Sequence, residues 1–151
     1  MFKRISVEPA LSILPKRLNS PEAIAMILAI CLQESRLKFR RQIGGPARGF
    51  PQFEEIGVKG VLEHPASRPI IMPALAMLCY EPDAAKCHAA LEHNDVLACV
   101  LARALLYSVP ESLPGPNDPA KGWAQYVSVW RPGKPHVEPW ANNYRTAWAT
   151  V

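Results

Sequence analysis

From Ala23 to Leu32 every residue of the chain is apolar, and the run ends in Gln33-Glu34-Ser35-Arg36. Asn19-Ser20-Pro21-Glu22 precedes it as a helix start: Ser20 can cap, Pro21 suits the first helical position, and Glu22 favours the positive end of the dipole. The pattern predicts a helix from Pro21 to about Phe39. A helix that is apolar on all faces needs covering on all faces, so this one belongs in the middle of a core. It is too short to span a bilayer. Glu34 stands at its end, where a carboxylate costs free energy unless it is paired or protonated. Desolvation and the negative end of the helix dipole both raise the pKa of such a group, and a carboxyl kept protonated near neutral pH suits a general acid. Two readings of Glu34 are open at this point. It is either such an acid or a surface residue of the last turn, paired with Arg36 or Lys38.

The rest of the chain reads as further helices. Val7 to Leu14, Gly57 to Glu63, Ile70 to Cys79, Asp83 to Glu92, Asp95 to Tyr107, Pro119 to Trp130 and Glu138 to Ala149 carry helical patterns. Asn94 or Asp95 offers a cap for the helix ending at Tyr107. Gly44 to Phe53 is a glycine-rich loop, Val109 to Asp118 a proline-rich one, and Arg131 to Pro135 a turn. Sixteen prolines, about twice ordinary usage, punctuate these joints. Alternation of period two is scarce, and no internal repeat or domain boundary stands out. With 151 residues, 49% hydrophobic and 20% charged, the expectation is one mainly α domain, residues 1–151, built around the buried helix ending at Glu34.

Cys31, Cys79, Cys87 and Cys99 lie within helical patterns without CxxC spacing, and read as buried free thiols, a Cys79–Cys87 bridge being the alternative. His64, His88, His93 and His136 are too scattered for a zinc motif. No metal or other cofactor is expected. A net charge of +4 favours an anionic partner. Arg36, Lys38, Arg40, Arg41 and Arg48 cluster near Glu34, but no nucleic-acid motif accompanies them, so a solvated face is expected rather than a dedicated nucleic-acid site. Neither a signal peptide nor a membrane-spanning segment is read from the sequence.

Glu34-Ser35 followed by Ala47-Arg48-Gly49-Phe50-Pro51-Gln52 resembles the lysozyme-like lytic transglycosylases, especially their phage-encoded peptidoglycan-degrading relatives. In that family a Glu-Ser pair ends a buried helix, and a Gly-Ala-x-Gly-Leu-Met-Gln-like loop packs across the groove. Here Ala47, Gly49 and Gln52 match, Phe50 takes the place of Leu, and Pro51 replaces Met. The likeness covers roughly residues 21–63. A third family motif, Tyr-Asn after a buried helix, has Tyr107 as its counterpart, with Ser108 where Asn would stand. Tyr126 loosely matches a later family tyrosine; for both tyrosines an ordinary core tyrosine with a bonded hydroxyl is the alternative.

The resemblance implies cleavage of the β-1,4 bond between N-acetylmuramic acid and N-acetylglucosamine, without cofactor. Glu34 would act as sole acid and base, giving 1,6-anhydro ends. Ser35, Phe50, Gln52, Tyr107 and Tyr126 would contact or orient the sugar. A hydrolytic lysozyme would add a second carboxylate, for which Glu54 is the candidate, with Glu55 beside it. Trp123, Trp130, Trp140 and Trp148 fit packing across two helices, and Trp130 to Gly133 could rim the groove. The implied partners are glycan strands, and phage virion proteins or a holin. The chain would be made in the host cytoplasm and reach the wall by holin-assisted release or within a virion. A non-catalytic phage structural or assembly protein, and a basic nucleic-acid-binding domain, are the readings from other classes.

Overall fold

The computed structural model describes residues 1–151 and is mainly helical. A π-helical turn, Lys3–Val7, runs into α1 (Glu8–Ile13), and a short 3-10 turn, Lys16–Leu18, leads to α2 (Pro21–Ser35). There follow α3 (Glu55–Glu63), α4 (Arg68–Met77), α5 (Ala84–Ala90), α6 (Asp95–Tyr107), α7 (Pro119–Trp130) and α8 (Trp140–Trp148). No β-strand forms. Only isolated bridges link Arg41 to Arg48 and Arg48 to Phe53.

α2 starts where its cap residues predict, with Ser20 Oγ accepting from the Ala23 amide at 3.2 Å. Its apolar run is buried from Ala25 to Cys31. It packs chiefly against α8, and also against α6 and the first turn of the chain. A hydrophobic core of 35 buried residues surrounds it, drawn from every helix. The helix stops at Ser35, short of the expected Phe39. Arg36 and Leu37 both turn left-handed at φ 54°, and the Arg36 and Leu37 amides close back on the Leu32 and Cys31 carbonyls. That early stop leaves Glu34 in the last turn, where the chain leaves the core.

Pro73 stays inside α4 as expected. Asn94, rather than Asp95, caps α6, its Oδ1 accepting from the Leu97 amide at 2.9 Å. Cys31, Cys87 and Cys99 are buried free thiols, but Cys79 is exposed. The expectation of four buried thiols is corrected there because α4 ends at Met77 and Cys79 occupies a left-handed turn, φ 61°. No helix is long and apolar enough to cross a membrane.

α7 and α8 meet over Gly122. A Cβ at this position would lie 2.8 Å from Tyr144 Cε2 and 3.2 Å from Trp140 Cζ2. Neither ring can swing away: Tyr144 donates to the Gly115 carbonyl at 2.7 Å, and the Trp140 indole donates to the Pro119 carbonyl at 2.7 Å. In a free helix Gly→Ala gains about 1 kcal/mol; here overpacking of about 1–3 kcal/mol opposes it. Gly122→Ala should therefore lower the thermal midpoint, as scanning calorimetry would record. A rise would show that the α7–α8 seam is looser than its geometry.

Candidate active-site groove

Glu34 receives a hydrogen bond from the Tyr126 hydroxyl on α7, a short contact between residues far apart in the chain. Burial pushes the Glu34 carboxyl above its ordinary pKa, and the Tyr126 bond pulls it part of the way back. The Tyr126 hydroxyl is raised above the ordinary tyrosine value, first by burial, then by the Glu34 charge and the bond to it. It therefore remains a donor throughout the accessible pH range. A carboxyl with one fixed donor, a raised pKa and one face open to a cavity has the attributes of a general acid.

Several contacts hold this pair in place. The Tyr126 ring stacks on Trp140 at 5.3 Å and 8°, with Trp123 at 5.4 Å on the same side of α7. From α8, Asn143 Nδ2 donates to Gln33 Oε1 at 2.9 Å, while Gln33 Nε2 donates to the His136 carbonyl at 2.7 Å. Neighbours on both sides thus fix the last turn of α2. Trp123, Trp140 and Trp148 act in packing, as their spacing suggests.

A cavity of about 420 Å³ opens in front of Glu34, lined by Gln52, Glu54, Leu105, Trp130 and Lys134 among others. A second, of about 530 Å³, shares Glu54, Ile56, Leu105 and Trp130 with it, so the two are sections of one groove between α3, α6 and α7. Trp130, Arg131, Pro132 and Gly133 line the groove, as the sequence suggested.

The loop from Gly44 to Phe53 forms one wall. Gly49 has φ 74°, and a Cβ there would meet the Leu91 carbonyl at 3.2 Å, so both conformation and space call for glycine. Arg48 and Phe53 exchange backbone hydrogen bonds at 2.9 Å, closing the tip. Gln52 sits at φ 54°, a left-handed strain that concentrates at functional loops. Its Nε2 donates to the Gly49 and Phe39 carbonyls at 2.7 and 3.2 Å, which leaves Oε1 without a partner in the protein, on a residue that lines the cavity.

Pro51 is buried, and its carbonyl accepts from the Trp130 indole at 2.8 Å. This bond ties the loop to α7. Trp130→Phe keeps much of the apolar area but deletes the tie, at a cost of about 1 kcal/mol. Hydrogen exchange at the Gly49 and Gln52 amides should quicken in that variant, while α2 amides keep their protection.

The other sequence candidates distribute unevenly. Ser35 is buried, accepts from the Leu37 amide and donates to the Cys31 carbonyl at 2.9 Å, so it shapes the end of α2 and faces away from the groove. Phe50 is buried beneath the Arg40 guanidinium at 4.2 Å and against Phe2. Tyr107 lines a different cavity from Glu34. Tyr126 is 3% exposed and reaches Glu34 from the core side, which makes it a positioning residue. Glu54 is exposed and lines the groove.

Of the basic cluster, Arg40 forms a two-pronged pair with Asp95 and Arg48 lies 3.6 Å from Glu92, while Arg36, Lys38 and Arg41 face solvent. The positive charges that line the Glu34 cavity are Arg131, within the stretch expected at the rim, and Lys134, which the sequence reading did not single out. No group of three or more His, Cys, Asp or Glu side chains is arranged to hold a metal ion. No family model, curated protein or solved structure matches the chain.

Proposed function

We propose that this protein cleaves the glycan strands of peptidoglycan as a lytic transglycosylase, and that its helices form a lysozyme-like domain. The observation that carries the proposal is the Glu34–Tyr126 pair: a carboxyl with a raised pKa at the end of a buried helix, facing a groove whose two sections measure about 420 and 530 Å³. The Glu-Ser and Gly-Phe-Pro-Gln motifs support it, because Gln52 of the second lines the same cavity as Glu34 of the first.

In the first step the Glu34 carboxyl gives its proton to the glycosidic oxygen as the C1–O bond of N-acetylmuramic acid breaks. The electron pair of that bond leaves with the oxygen, and positive charge develops at C1. Glu34, now a carboxylate facing that charge, takes the proton of the muramyl C6 hydroxyl. The freed oxygen closes on C1 and forms the 1,6-anhydro ring, and Glu34 ends protonated as it began. The fixed Tyr126 hydroxyl stabilises the carboxylate between the two transfers.

A hydrolytic reading has one observation of its own, since Glu54 lines the same groove and could activate water there. Digestion of purified peptidoglycan followed by mass spectrometry separates the two. Muropeptides lighter by one water than reducing ends mark the transglycosylase; reducing ends mark the hydrolase. No release of fragments would favour a non-catalytic phage structural protein. A phage source, with virion or holin partners, belongs to the same proposal.

A further inference from the structure

Arg103, on the last turns of α6, is 7% exposed and takes part in none of the five ion pairs of the protein. A guanidinium buried to this degree normally has a carboxylate beside it. Arg103 instead donates through Nε to the Leu18 carbonyl at 2.9 Å, and its two terminal nitrogens, which keep access to solvent, have no acceptor among the protein's own groups. Burial lowers its pKa to about 10, so it remains cationic at neutral pH.

It lines a cavity of about 460 Å³ together with Tyr107, Ser108, Glu111 and Ser112. A second cation stands close by: the Arg17 guanidinium lies 5.9 Å from the Tyr107 ring centre, and that of Arg103 lies 6.0 Å from it. Glu111 is the only acid in the lining and it is exposed. Ser108 and Val109 line both this cavity and the neighbouring section of the groove, so the Arg103 cavity adjoins the groove that Glu34 faces.

We infer that the Arg103 cavity is a subsite for a carboxylate carried on a side branch of the polymer bound at Glu34, an assignment that rests on the function proposed above. The free edge of one guanidinium matches a planar carboxylate with two parallel N–H···O bonds. Arg103 is the only cation in the lining, with Arg17 beyond the Tyr107 ring and Glu111 as the opposing acid, a weakly positive setting that suits a monoanion better than a phosphate. The peptide branches of peptidoglycan carry such carboxylates, whereas its sugar backbone between them is neutral.

The test titrates the isotope-labelled full chain with N-acetyl-D-alanine, its neutral amide and inorganic phosphate, following the Arg103 Nε–H and Tyr107 amide resonances. The carboxylate should give a saturable shift and the amide none. Arg17→Gln should weaken carboxylate binding, and Glu111→Gln should tighten it, each by about threefold to tenfold. Both residues are exposed, so neither variant threatens folding. Peptidoglycan with amidated branches should then show KM raised about tenfold with kcat unchanged.

Equal shifts with the amide, binding of phosphate alone, or no response to Glu111→Gln would each overturn the assignment. So would cleavage of amidated peptidoglycan with an unchanged KM. If peptidoglycan is not cleaved at all while the carboxylate still saturates the cavity, the proposed function falls and the anion site stands.

Discussion

Glu34→Gln should reduce release of muropeptides by about a hundred- to ten-thousand-fold, the range that a positioned acid–base group contributes. Glutamine keeps the volume and can still accept from Tyr126, so the groove survives while the transferable proton is lost. The fold should not weaken. The folded-state pKa of Glu34 is raised, so the native protein holds this proton more tightly than the unfolded chain does. Stability therefore falls as pH rises above the ordinary glutamate value of 4.5 and through the raised folded value. Glutamine has no proton to lose. The variant should match wild type in urea below that pH and exceed it at neutral pH. A variant that is inactive yet less stable than wild type at neutral pH would mean that the carboxylate is stabilised in place, contrary to its burial. Full activity in the variant would remove Glu34 from the mechanism.

Tyr126→Phe should slow cleavage by about ten- to a hundredfold, since a hydrogen bond to a charged group contributes about 1.5–3 kcal/mol. The Tyr126 hydroxyl holds the Glu34 carboxylate in one orientation and lowers its pKa against the effect of burial. Removing it releases both effects. The Glu34 pKa should climb further, and the alkaline limb of the pH–rate profile should move to higher pH. A purely structural role for Tyr126 would lower the rate at every pH and leave the limb in place. The ring itself should remain, because Trp140 stacks on it and needs no hydroxyl to do so. Tyr126→Phe therefore isolates the bond, whereas Tyr126→Ala would also open the core.

Several parts of this arrangement were legible from local chemistry. Ser20 and Pro21 begin α2 because capping and proline geometry are local, and the apolar run to Leu32 could only be buried. The glycine loop was legible because Gly44 and Gly49 supply positive φ. The early stop at Ser35 was not, since Arg36 and Leu37 adopt left-handed conformations that their side chains do not advertise. The Tyr126 partnership did leave a trace. Trp123, Tyr126 and Trp130 follow the i, i+3, i+7 spacing of one helix face, which groups Tyr126 with the tryptophans as an aromatic stripe rather than as an isolated core residue. Periodicity could not say that this face meets the end of α2.

Tyr107 shows why the remainder needed three dimensions. Leu105 and Tyr107 lie two residues apart on α6, and side chains at that spacing point in different directions. Leu105 therefore lines the groove at Glu34 and Tyr107 the cavity at Arg103. A motif written along the chain carries no record of that rotation once the helix is docked. By itself the sequence determined most of the helices, the Ser20 cap and buried course of α2, and the placing of one carboxyl at its end. The tertiary structure decided which side chains meet that carboxyl, because Tyr126, Gln52 and Trp130 reach it or its groove only through the packing of α7 and the loop against α2.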